Sequence, residues 1–232
     1  METTLITGAN RGIGLEFSRQ FAEDGWCVLA CSRNLEKSDA LNELAAEYPE
    51  QITLYTLDVT DHGQIKKLSK SLANKPIDLL INNAGVFPDI NERIFGQTDY
   101  DAWTHAFLVN AMAPLRMAEE FITQITRSNK KIIVTITSKM GSVADNRRGG
   151  SYIYRSSKSA ANMVVKNISI DLMSKDIISV LLHPGWVRTD MGGPSGLISV
   201  EQSVSGMLSV IRELTLMDSG KFIAYDGQII PW

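Results

Sequence analysis

The sequence predicts a doubly wound α/β domain, a mostly parallel seven-stranded sheet with helices on both faces. Three observations carry that expectation. Apolar runs of strand length recur at 3–7, 26–31, 52–57, 77–82, 131–137, 177–183 and 221–225. Several of them do not alternate with polar residues, as in Val28-Leu29-Ala30 and Ile132-Ile133-Val134, which is the pattern of strands covered on both faces and favours parallel pairing. Segments of helical spacing separate the runs, and repeated strand-then-helix order is the signature of this class. Right-handed crossovers then bring every strand's carboxyl end to one edge of the sheet, where ligands bind. A chain of 232 residues with 44% apolar side chains can build one buried core, and a single domain over residues 1–232 is expected.

The run 3–7 feeds a glycine-rich turn and then a helix, in which Ile13, Phe17 and Phe21 fall at i, i+4 and i+8 on one apolar face. Gly25 supplies its C-terminal stop. The run 26–31 holds both cysteines, Cys27 and Cys31. An extended chain keeps them too far apart for a disulfide, so they read as small core residues of a reducing compartment, and a cytoplasmic location is expected. The first run begins at Thr3, so no leader peptide is expected, and no run approaches the roughly 18 apolar residues of a membrane span. Residues 102–127 form a long helical stretch, and 145–151 (Asp-Asn-Arg-Arg-Gly-Gly-Ser) reads as a loop inside the domain. With 23 basic against 26 acidic side chains the formal charge is -3, so neither nucleic acid nor anionic membrane is expected as a partner. His62, His105 and His183 lack ligand spacing, and no metal site is expected.

Directly after the first run comes Thr7-Gly8-Ala9-Asn10-Arg11-Gly12-Ile13-Gly14. Glycines let a backbone turn tightly and approach a pyrophosphate, while unpaired N–H groups and the positive end of the helix dipole face the anion. The spacing is Gly-x-x-x-Gly-x-Gly, and an ordinary glycine-rich strand-to-helix turn is the competing reading. The second run ends in Cys31-Ser32-Arg33-Asn34, with no acid to hold a ribose 2′-hydroxyl and with a guanidinium suited to a 2′-phosphate. Arg11 adds a second positive charge on the same side. NADP(H) is therefore the expected cofactor, unless both arginines are solvated surface charges. Asp58, after the third run, is placed to meet an adenine amino group or to cap a helix.

Tyr154 and Lys158 stand four apart at the start of a segment with apolar Ala161, Val164, Val165 and Ile168, so they share one helix face. An ammonium beside a phenol favours its ionised form, which would bring a group of pKa about 10 toward neutral pH. A drop of about three units requires about 4 kcal/mol, and that needs the charge of an oxidised nicotinamide as well. Ser138 ends the fifth run and is either a holder for a substrate carbonyl oxygen or a strand-end cap. Asn110 lies in the long helical stretch, either binding a water that relays protons or satisfied in the core.

In this order the motifs resemble the short-chain dehydrogenase/reductase family, in its compact single-domain branch, over essentially all 232 residues. They are the glycine turn 7–14, Leu57-Asp58-Val59, Asn82-Asn83-Ala84-Gly85, Asn110, Ser138, Tyr154 with Lys158, and Pro184-Gly185-Trp186-Val187-Arg188-Thr189. The resemblance implies a Rossmann-type sheet in the order 3-2-1-4-5-6-7 and a catalytic tetrad of Asn110, Ser138, Tyr154 and Lys158. Tyr154 would be the general acid in reduction, and Lys158 would also bind the nicotinamide ribose hydroxyls. Cofactor contacts would come from Gly8, Asn10, Arg11, Gly12, Ile13 and Gly14, from Ser32 and Arg33, from Asp58 and Val59, and from Tyr154 and Lys158. Asn82, Ala84 and Gly85 would line the adenosine side and stiffen the central strand. Val187 and Thr189 would meet the nicotinamide carboxamide, with Pro184 and Gly185 in the same motif.

The ending Gly220-Lys221-Phe222-Ile223-Ala224-Tyr225-Asp226-Gly227, closing on Pro231-Trp232, looks like the C-factor and sniffer carbonyl-reductase subgroup. Two departures from the family pattern stand out. Ser156 occupies a position where alanine is usual, and the loop 145–151 is extra between Ser138 and Tyr154. Tyr152 is a rival phenol without a lysine at i+4. Residues 86–94, 142–152 and 191–197 are expected to line the substrate mouth. The glycines of Met191-Gly192-Gly193-Pro194-Ser195-Gly196 suggest a mobile lid or a plain surface loop.

The resemblance also implies a homo-oligomer, dimer or tetramer, in which the 102–127 stretch and the Tyr154 helix pair across a four-helix interface. The expected function is NADPH-dependent reduction of an aldehyde, ketone, dicarbonyl or quinone with Tyr154 as proton donor, the substrate being a small carbonyl or alcohol. The alternatives are an NADP(H)-binding signalling or sensor protein and an NAD-dependent alcohol dehydrogenase.

Overall fold

The computed structural model describes residues 1–89 and 95–232. Seven strands form one sheet: β1 Thr3–Thr7, β2 Cys27–Ser32, β3 Ile52–Thr56, β4 Leu79–Asn82, β5 Ile132–Ile136, β6 Ile178–His183 and β7 Phe222–Ala224. Their order is β3-β2-β1-β4-β5-β6-β7, and every neighbouring pair is parallel. Both the expected order and the expected parallel pairing hold. All carboxyl ends therefore lie along one edge, where the site is built.

The helices are α1 Gly12–Glu23, α2 Asp39–Glu47, α3 His62–Ser71, α4 Tyr100–Phe107, α5 Ala113–Thr126, α6 Tyr152–Asp171 and α7 Val200–Glu213. The unbroken apolar runs have a direct physical cause. Successive side chains of a strand point to opposite faces, and here both faces are covered. Ile6, Val28, Leu79 and Ile81 pack under α1, α2 and α7 against Phe17, Phe21, Leu41 and Met207. Leu5, Leu29, Leu80 and Ile133 face the other way, onto Ile65, Met117 and Phe121 of α3 and α5. Phe17 and Phe121, both fully buried, each contribute about 1.5–3 kcal/mol of apolar burial to their layer. Cys27 and Cys31 are buried and unbridged.

The end of α1 shows how local sequence sets a boundary. Gly25 takes φ +76, its N–H donates to the Ala22 carbonyl, and the Trp26 N–H reaches back to the Phe21 carbonyl, so two orphan carbonyls of the last turn are satisfied. Trp26 then lies outside β2 and packs on Phe21, with ring centroids 4.8 Å apart. The fourth strand is shorter than predicted, because Ile77 and Asp78 serve as an anchor ahead of it. Asp78 exchanges bonds with Thr3, accepting from its N–H at 2.9 Å through Oδ2. The expected long helix 102–127 is interrupted by a π-helical turn at Leu108–Met112, centred on Asn110, and α5 restarts with Pro114 in its first turn.

Candidate active site

The glycine turn between β1 and α1 is closed by packing. Gly8 and Gly12 take φ +65 and +53. A Cβ on Gly8 would lie 2.9 Å from the Ala84 Cα, and one on Gly14 would lie 2.2 Å from the Gly8 carbonyl oxygen. Asn83, to which the sequence reading gave no role of its own, fastens the turn. Its Nδ2 donates to the carbonyls of Thr7 (2.9 Å) and Gly8 (3.0 Å), while the Thr7 hydroxyl oxygen accepts from the N–H groups of Asn83 and Ala84. At the start of α1 the Arg11 side chain does not cap, and the first turn carries no acid. Its N–H groups are left facing the edge, which fits a pyrophosphate. Asn10 and Ile13 are half-buried around this turn.

Arg33 is exposed at the carboxyl end of β2 and makes no ion pair with any described residue, so its guanidinium fits a 2′-phosphate. Arg11 differs from its expected role: Nη1 is paired with Asp190 Oδ2 at 2.6 Å, both side chains being exposed. That pair bridges the glycine turn and the loop after β6. The Ser32 hydroxyl is engaged by Ser38 at 3.0 Å. Asp58 caps no helix; its Oδ1 accepts from the Thr60 N–H and hydroxyl, and Asp61 caps α3 instead. Val59 is buried. Asn82 is buried beside Thr135 and the Pro114 carbonyl, with its Oδ1 unpartnered among the described residues. A Cβ on Gly85 would lie 3.3 Å from Asn110 Oδ1 and 3.5 Å from Lys158 Nζ, so the backbone beyond β4 runs against both side chains.

The structure brings Asn110, Ser138, Tyr154 and Lys158 to the same edge. Ser138 follows β5 and caps the short 3-10 turn Lys139–Gly141, its Oγ accepting from the Met140 N–H at 3.1 Å. The cap does not exhaust the hydroxyl, which lies near enough to the Tyr154 phenol to favour its ionised form. Tyr154 lies in the first turn of α6 and Lys158 one turn later, with Nζ 5.8 Å from the Tyr154 ring centroid. Lys158 Nζ donates to the Ile136 carbonyl at 2.9 Å.

Burial pushes the Tyr154 phenol up to about 12, against the lowering by the Ser138 hydrogen bond, and pushes the Lys158 ammonium down to about 8. In the protein alone desolvation outweighs the Ser138 hydrogen bond, and the lowering expected of Lys158 together with an oxidised nicotinamide belongs to the cofactor-bound state. Asn110 is satisfied on three sides: Oδ1 accepts from the Val86 N–H at 2.9 Å, and Nδ2 donates to the Val86 carbonyl and the Ser157 hydroxyl, both at 3.0 Å.

Ser156, a departure from the family pattern, faces away from these groups. Its hydroxyl donates to the Tyr152 carbonyl and accepts from Trp103 Nε1, pinning α4 to α6. After β6, the Pro184 carbonyl accepts from the Ser203 hydroxyl at 2.6 Å. Gly185 has φ +85, and a Cβ there would lie 2.7 Å from Ile198 Cδ1. Val187 is buried, and Thr189 Cγ2 lies 3.4 Å from where a Gly12 Cβ would stand.

The loop 191–196 is held by side-chain bonds. Trp186 Nε1 and Thr189 Oγ1 hold Gly192, and Arg188 Nη1 holds the Gly196 carbonyl. Cβ atoms on Gly192 and Gly196 would strike backbone at 2.0 and 2.5 Å, so these glycines serve close packing rather than looseness. Of the expected mouth, 142–145 is tied to Trp232, whose carbonyl accepts from the Ala144 N–H. Residues 90–94 lie outside the described residues. Among the described residues no cluster of metal-ligating side chains occurs, and no helix is long and apolar enough to cross a membrane.

A family model described as short chain dehydrogenase matches residues 2–196. The chain belongs to the short-chain dehydrogenase family. This short-chain dehydrogenase is 40% identical over 168 residues to the C-signal protein of Myxococcus xanthus, covering 72% of this chain and all of that one. The NADPH-bound carbonyl reductase from chicken fatty liver superposes with TM-score 0.93 at 31% identity, over 100% of this chain and 99% of that one. The carbonyl reductase Sniffer of D. melanogaster gives TM-score 0.93 at 29% identity over the full length of both. The resemblance to the C-factor and sniffer group therefore holds.

Proposed function

We propose that this short-chain dehydrogenase is an NADPH-dependent carbonyl reductase acting on a small aldehyde, ketone, dicarbonyl or quinone. The observation that carries the reading is that the Ser138 hydroxyl neighbours the Tyr154 phenol, with the Lys158 ammonium one turn along the same helix face, at the edge where the uncapped α1 turn opens. Arg33, exposed and without an ion pair among the described residues, supports NADP(H) over NAD(H), as does the NADPH carried by the chicken reductase. The α1 turn would hold the pyrophosphate, Arg33 the 2′-phosphate and Lys158 the nicotinamide ribose hydroxyls. Val187 and Thr189 would meet the carboxamide. When bound, NADPH supplies the hydride.

Ser138 donates a hydrogen bond to the substrate carbonyl oxygen, and Tyr154 gives that oxygen its proton. A phenol held near 12 is protonated at every working pH, as an acid in the reductive direction must be. Lys158 remains mostly charged at pH 7 and stabilises the tyrosinate left behind. Residues 1–232 act as a single domain, and the working form is a homo-oligomer.

The test is NADPH consumption against a panel of carbonyl compounds with Tyr154→Phe beside the wild type. Turnover that vanishes in Tyr154→Phe while NADPH still binds is the expected result. Equal turnover in the variant overturns the assignment.

A further inference from the structure

The first turn of α6 carries Tyr154, yet it lacks the local cap that such a turn usually has. Ser151, its N-cap residue, sits in the left-handed region at φ 46 and ψ 49 and makes no side-chain cap bond. It follows Gly149 and Gly150, also at positive φ, so three consecutive residues hold a backbone that cannot present a cap from its own side.

The cap arrives from elsewhere in the chain. Asp89, beyond β4, is fully buried, and its Oδ2 accepts from the Tyr154 N–H at 2.7 Å while Oδ1 takes a longer bond of 3.4 Å from the Ile153 N–H. A carboxylate on the N–H groups of a first turn also meets the positive end of the helix dipole. The same short segment touches the reacting side chain, since the Phe87 ring packs edge-on to the Tyr154 ring at 4.6 Å. Asn110 holds that segment at Val86 through two bonds and reaches Ser157, whose hydroxyl donates to the Tyr154 carbonyl.

We propose that Asp89 is a positioning residue for the reaction: it fixes the first turn of α6, and with it the Tyr154 phenol, against Ser138. The proposal rests on the reading of Tyr154 as proton donor. Lys158 lies one turn deeper in α6 and is anchored separately on the Ile136 carbonyl. Loss of Asp89 therefore displaces the phenol and leaves the cofactor contacts in place.

The test compares wild type, Asp89→Ala, Asp89→Asn and Tyr154→Phe on one carbonyl substrate, with kcat expressed per titrated NADPH-binding site. Misplacement of a reacting group by about 1 Å costs about a hundredfold in rate. Asp89→Ala should therefore lose about a hundredfold in kcat per site, with NADPH affinity and carbonyl KM within about threefold of wild type. Asp89→Asn, which keeps an oxygen acceptor for the Tyr154 N–H, should stay within about tenfold of wild type but below it. A merely structural role would lower the number of binding sites and the melting temperature while kcat per site stayed at the wild-type value, and that outcome overturns the proposal. If Asp89→Ala does not fold, Asp89→Asn decides: a several-fold drop in kcat per site supports the proposal, and wild-type kcat overturns it. Full turnover in Tyr154→Phe would overturn the underlying reading itself, a different result from a silent Tyr154→Phe beside a fully active Asp89→Ala.

Discussion

Arg33→Ala separates the two nicotinamide cofactors. Arg33 is exposed at the end of β2 and forms no ion pair with any described residue, so its removal leaves the fold as it is. What it takes away is the guanidinium that would hold the cofactor's 2′-phosphate, and a hydrogen bond to a charged group contributes about 1.5–3 kcal/mol. The lower part of that range, about 1.5–2.2 kcal/mol, applies at an exposed position, which gives about a 10- to 40-fold rise in the NADPH dissociation constant. NADH has no 2′-phosphate, so its constant should stay within about twofold.

Arg11 provides an internal comparison. It must give up Asp190 before it can turn to a phosphate, and an exposed pair of this kind contributes only about 0–1 kcal/mol. Arg11→Ala should therefore weaken NADPH less than Arg33→Ala does. The assay is titration of both cofactors by nicotinamide fluorescence at low and high salt, where screening should shrink the NADPH advantage. An equal loss for NADH and NADPH in Arg33→Ala, or no loss for NADPH, would refute the assignment of the phosphate to this side chain.

Gly14→Ala forces a methyl to within 2.2 Å of the Gly8 carbonyl oxygen and 2.5 Å of Asn83 Nδ2, so thermal unfolding should show a loss of about 1–3 kcal/mol together with weaker NADPH binding. Burial, aided by the Lys139 ammonium, pushes His183 down to about 4. The unfolded chain binds its proton near 6.5 while the folded one does not, so stability falls by about 3 kcal/mol as pH drops from 6.5 to 4, and urea unfolding of His183→Gln should lose most of that slope. NADPH affinity should fall as pH rises through about 8, where Lys158 loses its charge, and the break should persist in Tyr154→Phe because it belongs to the lysine. Sedimentation should show an oligomer, and charging the exposed apolar face of α6 with Met163→Glu and Ile170→Lys should dissociate it.

Strand positions and parallel pairing were legible because burial on both faces writes itself into consecutive residues: Leu5 and Ile6 serve opposite layers, and neither can be polar, whereas the strand order came from the family resemblance. The glycine turn was legible because close approach tolerates no side chain. What escaped were bonds between distant segments. Asn83 ties a turn 75 residues away, and Asp89 caps a helix 65 residues on; neither carries a periodicity or a neighbouring partner to announce it. The packing of the loop 191–196 is hidden in the sequence for a related reason. Three glycines look like freedom in one dimension, but two of them are there because Val187 and Arg188 leave no room for a Cβ.

The same distinction applies to the reacting pair. Spacing points to a lysine that, with an oxidised nicotinamide, lowers a tyrosine; in the protein alone one burial acts on both groups and moves each toward its neutral form. For a reductase this is the useful direction before the reaction, because the acid must still hold its proton when the carbonyl arrives. The demand reverses once that proton has left, when a buried phenolate needs a cation close by. Lys158 is held by the Ile136 carbonyl within reach of the Tyr154 ring, and a group near 8 is still mostly charged at pH 7. In the proposed mechanism the lysine thus matters less for the resting phenol than for the tyrosinate that turnover would create, and its burial would set the alkaline limit of that support.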